Sequence, residues 1–217
     1  MKINVNNITL NYIQEGQGEP LILLHGNGED LQIFDKLISK LKKQFTVYAI
    51  DSRNHGSSTR TEDFSYETMA EDIHQFIEKL ELKHVSVIGF SDGAIISLLL
   101  TLKYPQIFKK MVLLGVNLKP SDFKLDIYNS IVEEYEKTQD PLFKMMLEQP
   151  NIELDNLKEI NTPTLVIGAE DDLYNEDSFQ NIADTMPDAE LKIMKGHDHG
   201  SYVINSDILY PSLNEFL

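Results

Sequence analysis

The sequence predicts an α/β protein in which helices cover both faces of a mostly parallel sheet of about eight strands. Short apolar runs alternate along most of the chain with segments whose apolar residues recur at helical spacing. Runs such as 19–26 and 45–51 are apolar almost throughout, as expected of strands that are covered on both faces. We therefore expect a doubly covered sheet rather than a helical bundle or a β-sandwich.

The predicted elements follow one another in a regular order. The chain opens with a hairpin over residues 2–16, which alternates polar and apolar residues and turns at Asn6-Asn7. The other strands are predicted at 19–26, 45–51, 84–90, 108–116, 163–169 and 189–195, and the helices at 30–43, 65–80, 92–104 and 206–217.

The alternation breaks once, between residues 117 and 161, where only helical patterns occur. We expect a core formed by residues 1–116 and 162–217, with residues 117–161 as a small helical cap. Ligands of doubly wound sheets bind beyond the carboxyl ends of the strands, so a cap there would act as a lid.

Composition excludes several classes of function. The net charge of −16 disfavours nucleic-acid binding, and the absence of cysteine excludes disulfides and thiolate chemistry. The longest strongly apolar run, around residues 94–102, is far below the roughly 20 residues of a membrane span. The amino terminus lacks the apolar region of a signal peptide, and the chain fits a reducing, cytoplasmic setting. The oligomeric state is left open.

A serine stands at a sharp junction between a predicted strand and a helix. The segment from Gly89 to Gly93 reads G-x-S-x-G, and such a tight turn exposes the hydroxyl of Ser91 at the end of the sheet. The alternative is a glycine-rich turn in which Ser91 only caps the helix.

Backbone N–H groups near Ser91 are candidates for an oxyanion hole. The turn after His25-Gly26 offers the N–H of Asn27, and the helix that follows Ser91 offers the N–H of Asp92. The alternative for the first of these is a plain glycine turn.

A base and an acid are also available at strand ends. Glu170, Asp171 and Asp172 follow one late strand, and His197 and His199 follow the last. The order serine, acid, histidine is the one that this architecture requires. The segment His197-Asp198-His199 also invites a zinc site, but the sequence offers no clear cluster for further ligands, so we expect neither a metal nor a cofactor.

Four segments, "HGNG", "DSRNHGSS", "GFSDG" and "GAEDD…GHDHGSY", together resemble the α/β-hydrolase superfamily. The resemblance implies an α/β-hydrolase fold and a catalytic triad of Ser91, Asp171 and His199. In the family pattern the acid follows the turn glycine by three residues, which favours Asp171 over Asp172. The small residues after His199 favour it over His197.

The surroundings of the nucleophile suggest a substrate pocket. Tyr128, Phe143, Met145 and Met146 of the cap are candidate walls, although they could equally serve only to pack the cap onto the core. The "SDG" version of the motif resembles hydrolases of amino-acid-type esters, so Asp92 could attract an ammonium group. Asp92 could instead only favour the positive end of its own helix.

We therefore expect a serine hydrolase of the carboxylesterase type, acting on a small ester or related acyl substrate without a nucleic-acid or membrane partner. Within the same superfamily, a thioesterase, peptidase, lactonase or C–C hydrolase would carry the same residues. A different possibility is a ligand receptor that keeps the triad but turns over little.

Overall fold

A computed structural model describes residues 1–175 and 177–217 and confirms the predicted α/β-hydrolase fold. The strands are β1 Lys2–Val5, β2 Ile8–Gly16, β3 Glu19–Leu24, β4 Phe45–Ile50, β5 Ser86–Phe90, β6 Lys110–Leu114, β7 Thr164–Asp171 and β8 Ala189–Asp198. These eight strands form one sheet in the order β1-β2-β4-β3-β5-β6-β7-β8. The opening hairpin is antiparallel and β2 pairs antiparallel with β4, whereas every other pairing is parallel.

Helices cover both faces of this sheet. The α-helices are α1 Asp35–Leu41, α2 Tyr66–Lys79, α3 Asp92–Lys103, α4 Leu125–Thr138, α5 Pro141–Glu148, α6 Asp177–Thr185 and α7 Tyr210–Phe216. Side chains of the central strands alternate between two buried clusters, so that Leu21 and Leu23 join one and Ile22 and Leu24 join the other. The first cluster packs against α1 and α7, and the second packs against α2, α3 and α6.

Two helices are shorter than predicted. The first begins as a 3-10 turn over Leu31–Phe34, where the side chain of Asp30 accepts from the N–H of Gln32, and becomes α-helical only at Asp35. The last begins at Tyr210 instead of residue 206, with a proline in its first turn, a position where the missing N–H costs nothing. Side chains of both segments lie in the buried cluster that contains Leu21 and Leu23.

The segment between β6 and β7 is helical, as its sequence pattern indicates. It contains α4 and α5 together with two short 3-10 turns. Asp140 caps α5 by accepting from the N–H of Leu142 at 2.9 Å, and Gln149 binds the backbone of Phe64 on the core. The segment is therefore tied to the body beside the carboxyl ends of the strands. None of the helices in the described chain has the length and apolarity needed to cross a membrane.

Candidate active site

Ser91 occupies a strained turn between β5 and α3. Its backbone has φ 51° and ψ −112°, a conformation that a residue with a side chain seldom adopts. Its N–H donates to the carbonyl of Leu114 on the neighbouring strand at 2.8 Å, which holds the strain in place. Within the described chain the Ser91 hydroxyl makes no capping bond to α3, so the capping alternative does not describe this serine.

Gly93 allows α3 to pack directly against β3. A Cβ at this position would lie 2.2 Å from the carbonyl oxygen of Leu24, which is backbone and cannot yield. The second glycine of the motif is thus required by close approach of the helix to the sheet. This approach turns Ser91 outward at the carboxyl edge.

His199 is held by a buried carboxylate. Its Nδ1 lies 2.7 Å from Oδ1 of Asp172, whose side chain is only 2% exposed. Asp172 is itself fixed by the N–H groups of Ala169 and Leu173 at 3.0 and 2.8 Å. A carboxylate acceptor requires Nδ1 to carry the proton, which leaves Nε2 of the neutral ring with its lone pair free for a proton.

The turn after β3 lies beside Ser91. His25 braces this turn, because its Nε2 accepts from the N–H of Ser52 at 3.0 Å while Nδ1 lies 2.8 Å from the carbonyl of Gly26. Burial lowers the pKa of His25 to about 4, so the ring stays neutral near pH 7. No acceptor for the backbone N–H of Asn27 or of Asp92 occurs in the described part of the chain.

Ser91 and His199 line one cavity of about 620 Å³, which is within the size range of small-molecule sites. Most of its wall is apolar and is formed by Phe90, Leu142, Phe143, Met146, Leu173 and Ile204. Three of these belong to α5, so the helical segment between β6 and β7 forms one side of the cavity. Such a site can receive a mainly apolar molecule with one reactive polar centre.

Comparison with known proteins agrees with this fold. Residues 19–142, more than half of the chain, match the family model described as the alpha/beta hydrolase fold. This protein belongs to the α/β-hydrolase family.

Relatives and solved structures extend the comparison. Human serine hydrolase BPHL is 37% identical over 152 residues, which make up 65% of this chain and 52% of the human protein. Ethanol acetyltransferase 1 of Cyberlindnera jadinii is 35% identical over 105 residues, 47% of this chain and 31% of that protein. The matches thus span about half of these relatives or less. Est816, an N-acyl homoserine lactone degrading enzyme, has a TM-score of 0.84 at 19% identity over the full length of both chains, a likeness of fold.

The acid that contacts the histidine of this α/β hydrolase is not the expected one. The prediction of Asp171 is wrong in this respect, because Asp171 is exposed and Asp172 binds His199. Counting three residues from Gly168 assumes that the strand ends there, but β7 continues to Asp171, with a register shift against β8 between Ala169 and Asp171. The inward position therefore falls one residue later.

The other acidic and histidine candidates make structural contacts. Glu170 accepts from the N–H of Gly196 at 2.8 Å and holds β8 beside β7. His197 places Nδ1 3.1 Å from the hydroxyl of Ser201. Both contacts shape the turn that presents His199.

Asp92 does not line the cavity, contrary to its predicted pocket role. Its carboxylate is buried and accepts from the hydroxyl of Tyr66 at 2.7 Å and from the side chain of Asn27 at 3.1 Å. Burial raises the pKa of Asp92, and these bonds oppose the rise. The same Asn27 amide lies 3.4 Å from the carbonyl of Leu142, so Asp92 anchors the turn after β3 and, through Asn27, the start of α5.

The predicted pocket residues of the helical segment divide into two groups. Phe143 and Met146, three residues apart on α5, face the cavity. Met145 lies on another face of that helix and is 1% exposed in the core, while Tyr128 lines a separate surface groove near Leu125. The pocket roles predicted for Met145 and Tyr128 are therefore wrong.

Three contributors to the site were missed from the sequence. Glu29 lines the cavity, and burial raises the pKa of its carboxyl to about 7. Tyr174 lies beside Ser91 and packs edge-on against His199 at 5.4 Å between ring centroids. Gly115 provides the space for the His199 ring. A glycine directly after an apolar strand was a visible signal for Gly115, whereas nothing local marks the other two.

Proposed function

We propose that this α/β hydrolase cleaves carboxylic esters of small substrates through an acyl-enzyme on Ser91. The observation that carries the proposal is the contact between His199 and the buried Asp172, which leaves Nε2 available in the cavity that Ser91 lines. A serine hydroxyl becomes a strong nucleophile when an oriented base takes its proton.

In the first half of the reaction Ser91 Oγ attacks the acyl carbon while His199 Nε2 takes the hydroxyl proton. The negative charge that develops on the carbonyl oxygen is stabilised by the N–H groups of Asn27 and Asp92. Asp172 stabilises the imidazolium. The C–O bond to the alcohol then breaks, and the alcohol leaves with the proton from His199.

In the second half water replaces the alcohol. His199 takes a proton from water, the hydroxide attacks the acyl carbon of the ester on Ser91, and the carboxylic acid departs as Ser91 regains its proton. An alcohol in place of water would yield a new ester. Since acetyltransferases of ethanol are among the relatives, ethanol is a natural alternative acceptor to supply in assays.

The first test is covalent labelling with a fluorophosphonate, followed by intact-mass measurement. We expect one adduct on the wild type and none on Ser91→Ala or His199→Ala, because the probe reports an activated serine. Ser130→Ala removes an exposed hydroxyl of α4 and should label fully. The wild type and Ser130→Ala should also hydrolyse para-nitrophenyl butyrate, whereas Ser91→Ala and His199→Ala should not.

The labelling can also contradict the proposal. A folded wild-type protein without an adduct and without ester turnover would mean that Ser91 is not activated. The protein would then be interpreted as a ligand receptor with little turnover instead of a hydrolase, and ligands of the cavity would be sought by binding measurements.

Gly115→Ala should displace the histidine. Gly115 has φ 56°, and a Cβ there would lie 2.6 Å from Cε1 and 2.8 Å from Nδ1 of His199. We expect kcat for ester hydrolysis to fall about 100-fold, since a displacement on the order of 1 Å can have that effect. Steady-state kinetics should show the loss in kcat more than in KM.

Gly196→Ala is the matched control for this variant. Gly196 also has a positive φ, 69°, but no atom lies within 4 Å of the position of its Cβ. Both variants should lose stability through backbone strain, about 1 kcal/mol each. Equal kcat values for the two would show that contact with His199 is not what matters.

A further inference from the structure

Glu29 lies next to the nucleophile. Its Oε2 accepts from the N–H of Gly26 at 2.9 Å. A Cβ built on Gly26 would lie 2.9 Å from this oxygen and 3.1 Å from Cβ of Ser91. The side chains of Glu29 and Ser91 therefore both lie against Gly26. Glu29 is thus placed to meet a substrate that is bound to Ser91.

One oxygen of this carboxylate is uncommitted. Within the described chain Oε1 of Glu29 has no hydrogen-bond partner, although the side chain lines the cavity. Two other carboxylates of the lining, Asp140 and Asp198, also accept through one oxygen, Oδ1, from the backbone N–H groups of Leu142 and of Gly200 and Ser201. Glu29 differs from them in its position, since it lies against Gly26 together with Ser91.

The side chains of the described lining do not favour an anionic group beside the scissile bond. Among the described residues that form the cavity there is no lysine or arginine, and His199 serves the proposed reaction. The aromatic rings of Phe90 and Phe143 also line the cavity and can contact a cation through their faces. The whole chain carries a net charge of −16, so its overall electrostatic field also attracts cations and repels anions.

We propose that Glu29 selects substrates that carry a cationic group close to the scissile ester. This inference rests on the proposed ester hydrolysis and names its substrate class. A partly buried carboxylate and a cation attract each other more strongly than exposed charges do, because less water screens them. An anionic group in the same place would be repelled and would lose its hydration.

The selection should depend on pH. Burial raises the pKa of Glu29 to about 7, which the Gly26 N–H and nearby His199 oppose and Asp92 and Asp30 reinforce. Glu29 is ionised above this pKa, so the preference for a cation should grow as pH rises through about 7.

The experiment compares isosteric esters that differ only in charge. One pair is butyrylcholine and the analogue in which a quaternary carbon replaces the ammonium nitrogen. The other pair is the para-nitrophenyl ester of trimethylammoniobutanoate and its carbon isostere. For each pair we measure the ratio of kcat/KM, cationic over neutral, in the wild type, in Glu29→Gln and in Glu133→Gln, which removes an exposed carboxylate of α4.

We expect a wild-type ratio of about tenfold or more at pH 8 in at least one pair, the size of effect that about 1.4 kcal/mol of binding produces. It should fall to near one in Glu29→Gln and stay high in Glu133→Gln. A ratio near one in both pairs of the wild type, or an equally high ratio in Glu29→Gln, would overturn the inference.

Binding separates this inference from the reaction. In Ser91→Ala, which cannot form the acyl-enzyme, the same esters can be titrated by calorimetry with and without Glu29→Gln. A cation preference that requires Glu29 supports the inference even if turnover is absent. Hydrolysis of neutral esters without any cation preference would leave the proposed function standing and refute the role of Glu29.

Discussion

Asp172→Asn should lower kcat for ester hydrolysis by about four orders of magnitude, whereas Asp171→Asn should keep it within about threefold of the wild type. Asp172 is the carboxylate that contacts Nδ1 of His199 at 2.7 Å. An amide NH₂ at this position would favour the tautomer with the proton on Nε2, which cannot take a proton from Ser91. It would also remove the negative charge that stabilises the imidazolium.

The neighbouring variant is the matched control. Asp171 is one residue away, has the same charge and is exposed, so Asp171→Asn changes the net charge equally without touching the histidine. Both proteins should be folded by circular dichroism, because the amide introduced by Asp172→Asn would keep the oxygen that accepts from the N–H of Ala169 and would lose only the acceptor of the Leu173 N–H. A large loss of kcat in Asp171→Asn with an active Asp172→Asn would contradict the assignment made from the contact.

The difference between these two residues shows where sequence reasoning ends. Apolar runs and their terminal glycines marked the strand ends, and with them Ser91, Asn27 and His199, because these features are local. The choice between Asp171 and Asp172 depends on a register shift between β7 and β8, which is a property of two paired strands. Counting along a single strand could not reveal it.

Contacts between distant segments were equally hidden. Asp92 is bound by Tyr66, which lies 26 positions earlier on α2, and by Asn27, which lies 65 positions earlier. The sequence therefore leaves open both a substrate role and a role at its own helix end, whereas the fold gives its carboxylate two side-chain partners. Glu29 is the opposite case, a residue that lines the cavity although its sequence context gives no sign of it. It is an acidic residue in a turn, and it reaches the cavity only because the fold places that turn beside Ser91.

The helical segment between β6 and β7 illustrates a third limit. Its helices were predictable from spacing and from the cap at Asp140, but the face that α5 turns toward the cavity was not. Phe143 and Met146 face the cavity, whereas Met145 between them is buried elsewhere. Helical periodicity separates the faces of a helix without saying which face meets the body.

Arg53→Met should destabilise the fold by about 3–5 kcal/mol, the largest effect on stability that we expect from a single side chain outside the core. The Arg53 guanidinium donates from Nε and Nη2 to the two oxygens of Asp72 at 2.6 and 2.7 Å. Both side chains are buried, at 4% and 1% exposed. Removal of the cation leaves a buried carboxylate whose remaining side-chain partner is Asn6, at 2.8 Å.

This ion pair ties the loop after β4 to α2. The same helix, α2, carries Tyr66, which binds Asp92 next to Ser91. The ion pair therefore stabilises the helix that positions Asp92, the residue that holds the turn after β3. Urea unfolding of Arg53→Met should show a lower free energy of unfolding. In folded protein at low temperature, labelling of Ser91 should persist, because Arg53 does not contact the cavity.

Two controls separate the cost of an unpaired charge from the value of the pair. The double variant Arg53→Met with Asp72→Leu removes both charges and should recover most of the lost stability, because buried ion pairs are often replaceable by apolar side chains. Lys119→Met breaks an exposed pair with Glu153, 37% and 68% exposed, and should cost less than about 1 kcal/mol. If the double variant were as unstable as Arg53→Met, the lost stability would come from the missing contact between the loop after β4 and α2. An uncompensated buried charge would then not be the cause.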